Sequence, residues 1–186
     1  MAINMYFDDE EVGPDRKTSH PHFVAHFKSD FYFDCSDEQV PFGSDEGADV
    51  LAELEDFFQD KEVEGVSLSD FPRHVMEDQW ELTYYPPKDM DEGSLAKLIA
   101  EHERDVWMSD QVVLATAFGQ IKITGYIIPE LKDMAHDALG RMKAVNDALG
   151  REDEFGYYDK MLYDLMTFDK TYVSVLPDFW CKRCQM

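Results

Sequence analysis

The sequence predicts an α+β fold: a small antiparallel sheet packed against several helices, in a single compact domain spanning residues 1–186 with a mostly helical second half. Two observations carry this expectation. Aromatic-rich stretches near residues 22–35 and 80–85 alternate with a period of two, as half-buried strands do. Four longer stretches repeat their apolar residues every three or four positions, as amphipathic helices do. The length suits one domain, and 44% hydrophobic residues with 13 Phe, 9 Tyr and 3 Trp suffice for a packed core.

Each element has a local warrant. Phe23, Ala25 and Phe27 alternate with Val24, His26 and Lys28, and Phe31–Phe33 resumes after Ser29-Asp30, which predicts two short strands joined by a tight turn. Residues 44–60 predict a helix. Ser44 is placed to cap it, Asp45 and Glu46 favour the positive end of its dipole, and Val50, Leu51, Leu54, Phe57 and Phe58 make one apolar face. Trp80–Tyr85 reads as a strand ending at Pro86-Pro87. Residues 94–107 predict a helix with Leu95, Leu98, Ile99, His102 and Val106 inward. Residues 112–128 fit either state, with a strand over 120–124 between Gly119 and Gly125 as one option. Pro129 starts a helix that reaches Leu149 and stops at Gly150. Residues 157–168 read as helix and 172–176 as a short final strand.

Charge is the most informative property. Against 40 acidic residues stand 17 basic ones, a formal net charge of −23. A chain this acidic is repelled by phosphate, so direct nucleic-acid binding is excluded. The acids are also unevenly placed: residues 1–110 hold 29 of them against 8 bases, whereas 111–150 are balanced. Solubility alone asks for a net charge of about 2 to 8 in magnitude for a small domain.

The sharpest feature lies on the helix at 44–60. Glu46, Asp49, Glu53, Asp56 and Asp60 are spaced 3, 4, 3 and 4 residues apart. At about 100° per residue they fall within about 80° of one another, and their axial spacing is about 5 Å. Phosphates on one strand of duplex DNA recur about every 3.4 Å. Such a stripe, extended by Glu62 and Glu64, suits a groove built for a phosphate backbone. Like charges at these spacings cost a few tenths of a kcal/mol per pair.

The remaining features are less specific. Asp8–Glu11 reads as a mobile acidic arm. His20, His22 and His26, with Cys35 and the C-x-x-C pair Cys181 and Cys184, raise zinc as an alternative; zinc requires three or four converging ligands. Phe179-Trp180 is a candidate aromatic anchor. No G-x-S-x-G, H-E-x-x-H, Gly-rich phosphate loop or calcium loop occurs, so no catalytic residue and no cofactor is assigned and the chain is read as non-enzymatic. The first residues lack a basic region and a long apolar run, and no stretch has the apolar length of a membrane span, so a cytoplasmic protein is expected.

In size, charge and lack of catalytic motifs the chain resembles small acidic inhibitors of nucleic-acid-handling proteins: nuclease immunity proteins, antirestriction proteins and anti-CRISPR proteins. The resemblance implies a partner with a basic groove, such as a nuclease or DNA-binding protein, and leaves oligomeric state open. A zinc-binding protein and a housekeeping domain acidic only for solubility are the alternatives.

Overall fold

The computed structural model describes residues 4–9, 11–59, 66–88, 90–153 and 155–171. Among these residues there is no β-strand, and the expected α+β fold with an antiparallel sheet is replaced by a helical one. The extended pairings that occur there are two isolated bridges, Asp9 with Gly13 and Ile127 with Thr171.

The first correction lies at residues 21–33. They form helix α1, Pro21–His26, and a single 3-10 turn, Asp30–Phe33. Pro21 occupies the first helical turn, where its fixed φ and missing N–H do no harm, and the His20 ring caps the next free amide. Phe23 and Phe27 share a face as an i, i+4 pair, not as alternate strand residues, with ring centroids 4.8 Å apart. Both are fully buried and meet Tyr32, and Phe27 also meets Phe118 and Phe168. Residues 80–85, expected as a strand, form none: Trp80 has helical torsions (φ −97°, ψ −6°) and Glu81 a positive φ of 55°, which breaks the alternation of a strand.

Helix α2, Asp45–Phe58, matches its prediction closely. Ser44 Oγ accepts the Gly47 N–H at 2.9 Å, and Val50, Leu51, Leu54, Phe57 and Phe58 are all buried. Each such side chain contributes about 1.5–3 kcal/mol relative to exposure. Helix α3, Phe71–His74, continues into a π turn, Val75–Gln79.

Helix α4, Glu92–Thr124, organises the molecule. It joins the predicted helix at 94–107 to the ambiguous stretch beyond, with non-helical torsions at His102 (φ −142°, ψ 27°) marking a kink. His102, expected inward, is exposed and stacks on Tyr85 at 5.1 Å. Every residue from Met108 to Gly125 is buried, with α2 and α5 as its main neighbours. A helix buried on all sides has no polar face, so its period is faint in the sequence. Gly119 lets α2 approach, since a Cβ there would lie 2.8 Å from Leu54 Cδ2.

Helices α5, Pro129–Leu149, and α6, Tyr157–Thr167, lie where the sequence placed them. Gly125 and Gly150 end α4 and α5 in the left-handed conformation, at φ +76° and +65°. The strand expected at 172–176 lies outside the described residues.

Candidate functional site

The acidic stripe sits on the outward side of α2, displaced from its buried face. Asp49 is exposed, and Glu46, Glu53 and Asp56 are partly exposed. No basic residue occurs on α2. Asp60, Glu62 and Glu64 lie outside the described residues. Glu53 Oε2 accepts a hydrogen bond from Gln79 Nε2 at 3.0 Å, which ties the stripe to the π turn after α3. That turn adds the exposed carboxylates Glu77 and Asp78. Over the described residues 45–59 and 66–79, nine carboxylates stand against one arginine, Arg73, which is itself paired with Asp70 at 3.0 Å. His74 Nδ1 lies 2.7 Å from Asp78. Glu55, one step around α2, has a different role: it accepts the Asp8 N–H at 2.8 Å, and burial raises its carboxyl.

The stretch at 8–11 is not simply a free acidic arm, because the Asp8 side chain is only 8% exposed. Its Oδ1 lies 2.6 Å from Lys122 Nζ and accepts a hydrogen bond from the Thr18 hydroxyl. Lys122 is fully buried, and a lone ammonium inside a helical core demands such a partner. The sequence signal for this pair is plain: between Gln111 and Pro129, Lys122 is the only charged residue. A second buried pair joins α4 to α5. Arg141 reaches Asp110 with Nε at 2.9 Å and Nη2 at 2.8 Å, and also donates to the Tyr85 and Pro86 carbonyls at 2.6 and 3.0 Å. Burial pushes the Asp110 carboxyl up, and the Arg141 guanidinium opposes it.

The histidines divide. His20 and His22 come together, ring centroids 4.6 Å apart, with Tyr6 and Tyr126 against them. His20 Nδ1 accepts the His22 backbone N–H at 3.1 Å, and His22 Nδ1 donates to the Gly125 carbonyl at 2.9 Å. Burial, then the neighbouring His22, lowers His20 to about 4. His26 turns away, its Nε2 2.7 Å from the Asp164 carbonyl and its ring against Phe168. Cys35 is exposed, and Cys181 and Cys184 lie outside the described residues, as do Phe179 and Trp180. Among the described residues no three His, Cys, Asp or Glu side chains are grouped to hold a metal ion.

The sequence also gave no warning of a cleft of about 650 Å³ that brings Arg104 and Trp107 of α4 to Tyr158 of α6. Among the described residues no helix is long and apolar enough to cross a membrane.

No family model and no solved structure matches the chain. A curated relative does: the Escherichia coli (strain K12) protein named Uncharacterized protein YfeS is 39% identical over 165 residues, which cover 88% of this chain and 67% of that protein. An identity of this size over most of both chains places the protein among the relatives of YfeS, and the chain belongs to the YfeS family.

Proposed function

We propose that the chain is a non-catalytic interaction protein whose acidic face, formed by α2 and the turn at 75–79, docks in the basic groove of a nucleic-acid-handling protein. The observation that supports this most is the Glu53–Gln79 hydrogen bond. It joins two elements that both carry partly or fully exposed carboxylates, and α2 itself carries no basic residue. Glu46, Asp49, Glu53 and Asp56 span about 15 Å along the axis at about 1.5 Å per residue. Such a face speeds encounter with a basic partner at rates that fall with salt, while apolar contacts within the interface set how long the complex lasts. Inhibition then needs no turnover, because an occupied groove admits no nucleic acid.

The test is retention of a partner. The purified chain is immobilised, nuclease-treated bacterial lysate is passed over it, and bound proteins are eluted with a salt gradient. A discrete basic, nucleic-acid-binding protein released only at high salt is the expected result. The same column carrying Glu46, Asp49, Glu53 and Asp56 all changed to Lys must lose that protein while the variant keeps its thermal stability. Undiminished capture by the variant, or only a smear of basic proteins at low salt, overturns the proposal.

A further inference from the structure

We infer that the cleft between the loop at 34–43, α4, the end of α5 and α6 binds a small aromatic zwitterion of the amino-acid type. Its volume, about 650 Å³, falls inside the range of about 300–1,000 Å³ usual for small-molecule sites. It stands apart from the acidic face and does not depend on it.

The walls supply three complementary elements. Trp107 is partly exposed, with its body packed on the main core, so it offers a fixed aromatic surface. Arg104 and Glu38 come from different segments of the chain and both line the cleft. Among the described residues neither side chain has a hydrogen-bond or ion-pair partner. The other two charges present are already matched, Arg151 Nη2 lying 2.5 Å from Glu103 Oε1. The cleft therefore has one spare cation and one spare anion.

The floor is polar and held in place. Asn146 and Tyr158 are buried there. The Asn146 carbonyl accepts the Arg151 N–H at 2.9 Å, which fixes the end of α5 against the cleft. On the opposite side the kink at His102 directly precedes Glu103 and Arg104, and the stacking of His102 on Tyr85 holds it.

Charge selects the ligand class. The four ionised side chains lining the cleft cancel, in a chain whose net charge is −23. A simple anion is repelled by the whole protein on approach, and a simple cation is drawn to any of its acidic faces. A zwitterion feels neither field strongly. Inside the cleft its carboxylate meets the Arg104 guanidinium, its ammonium meets the Glu38 carboxylate, and its ring lies on Trp107.

Calorimetric titration of the full chain at neutral pH with L-phenylalanine tests this. 3-Phenylpropionate, which lacks the ammonium, and 2-phenylethylamine, which lacks the carboxylate, are the comparators. Saturable binding of phenylalanine is expected, with each comparator at least about tenfold weaker, the worth of one charge-assisted hydrogen bond. Arg104→Gln is expected to weaken phenylalanine by a similar factor and leave 2-phenylethylamine unchanged. Glu38→Gln is expected to weaken phenylalanine and leave 3-phenylpropionate unchanged. Both side chains are exposed, so both variants keep the wild-type melting temperature. No saturation by about 10 mM, tenfold above a Kd of about 1 mM, overturns the inference. So does equal affinity for all three compounds, or unweakened phenylalanine binding by both variants.

Discussion

Lys122→Met tests how the first residues of the chain are held. The Lys122 side chain is fully buried and that of Asp8 is 8% exposed, with 2.6 Å between Nζ and Oδ1. Methionine keeps the length and apolar stem but removes the charge. The Asp8 carboxylate then keeps the Thr18 hydroxyl as its side-chain donor, and its Oδ2 is already buried without a partner. Removing one member of a buried pair costs about 3–5 kcal/mol, because the other is left as an uncompensated charge. At about 2–4 °C per kcal/mol for a chain of this size, the melting temperature falls by roughly 6–20 °C. Urea unfolding at pH 7 measures the loss. Asp8→Leu combined with Lys122→Met should recover most of it, since an apolar pair carries no desolvation penalty. The double-mutant coupling should therefore exceed about 2 kcal/mol. Hydrogen exchange gives a local readout: the Tyr6 N–H, bonded to the Ile123 carbonyl at 3.0 Å, should lose protection in the single variant. A loss below about 1 kcal/mol, additive with Asp8→Leu, is the signature of a solvated surface pair and would refute the buried-pair reasoning.

Two further outcomes follow from the same region. Gly125→Ala should cost well over the roughly 1–2 kcal/mol of a left-handed residue, because its Cβ would lie 2.2 Å from the His20 ring; Gly150→Ala, with open space around it, should cost only that conformational amount, as paired urea titrations would show. His20 is lowered to about 4, so folding favours its neutral ring: its contribution is intact above about pH 6.5 and is lost as pH falls toward 4. With solvent screening of a half-exposed ring the loss is about 1–2 kcal/mol, and His20→Gln should remove that part of the pH dependence when stability is compared at pH 7 and pH 4.

What the sequence revealed and what it concealed have one physical cause. Helices α2, α5 and α6 each bury one face and wet the other, so their period, caps and stops stand out. Ser44, Pro129 and Gly150 sit at or beside the predicted boundaries. The acidic stripe was legible for the same reason: once α2 is a helix, the spacing of Glu46, Asp49, Glu53 and Asp56 follows. Helix α1 was hidden because an aromatic pair at i, i+4 also satisfies a period of two, and its six residues are too few to display a helical period beyond the start marked by Pro21. The cleft was hidden because Glu38, Arg104 and Tyr158 meet only through tertiary packing.

The buried half of α4 shows how far polar residues alone can specify such a fold. An apolar helix surrounded on all sides could rotate or slide among its neighbours at little energetic expense. Instead it carries four polar side chains that are each directed at a neighbouring segment. Asp110 anchors Arg141 of α5, Gln111 Nε2 donates to the Val40 carbonyl at 3.1 Å, Gln120 Oε1 accepts the Ile128 N–H at 3.0 Å, and Lys122 holds Asp8. Rotating α4 by one residue, about 100°, would strand all four groups in an apolar interior. At about 1–3 kcal/mol for each unsatisfied neutral group, and more for the two charges, that penalty rivals the whole net stability of a typical domain. The hydrophobic residues of α4 make it central, and its few polar ones fix its rotation and register. The segment holding Tyr85, the loop holding Val40 and the segment holding Asp8 are thereby set in place around it.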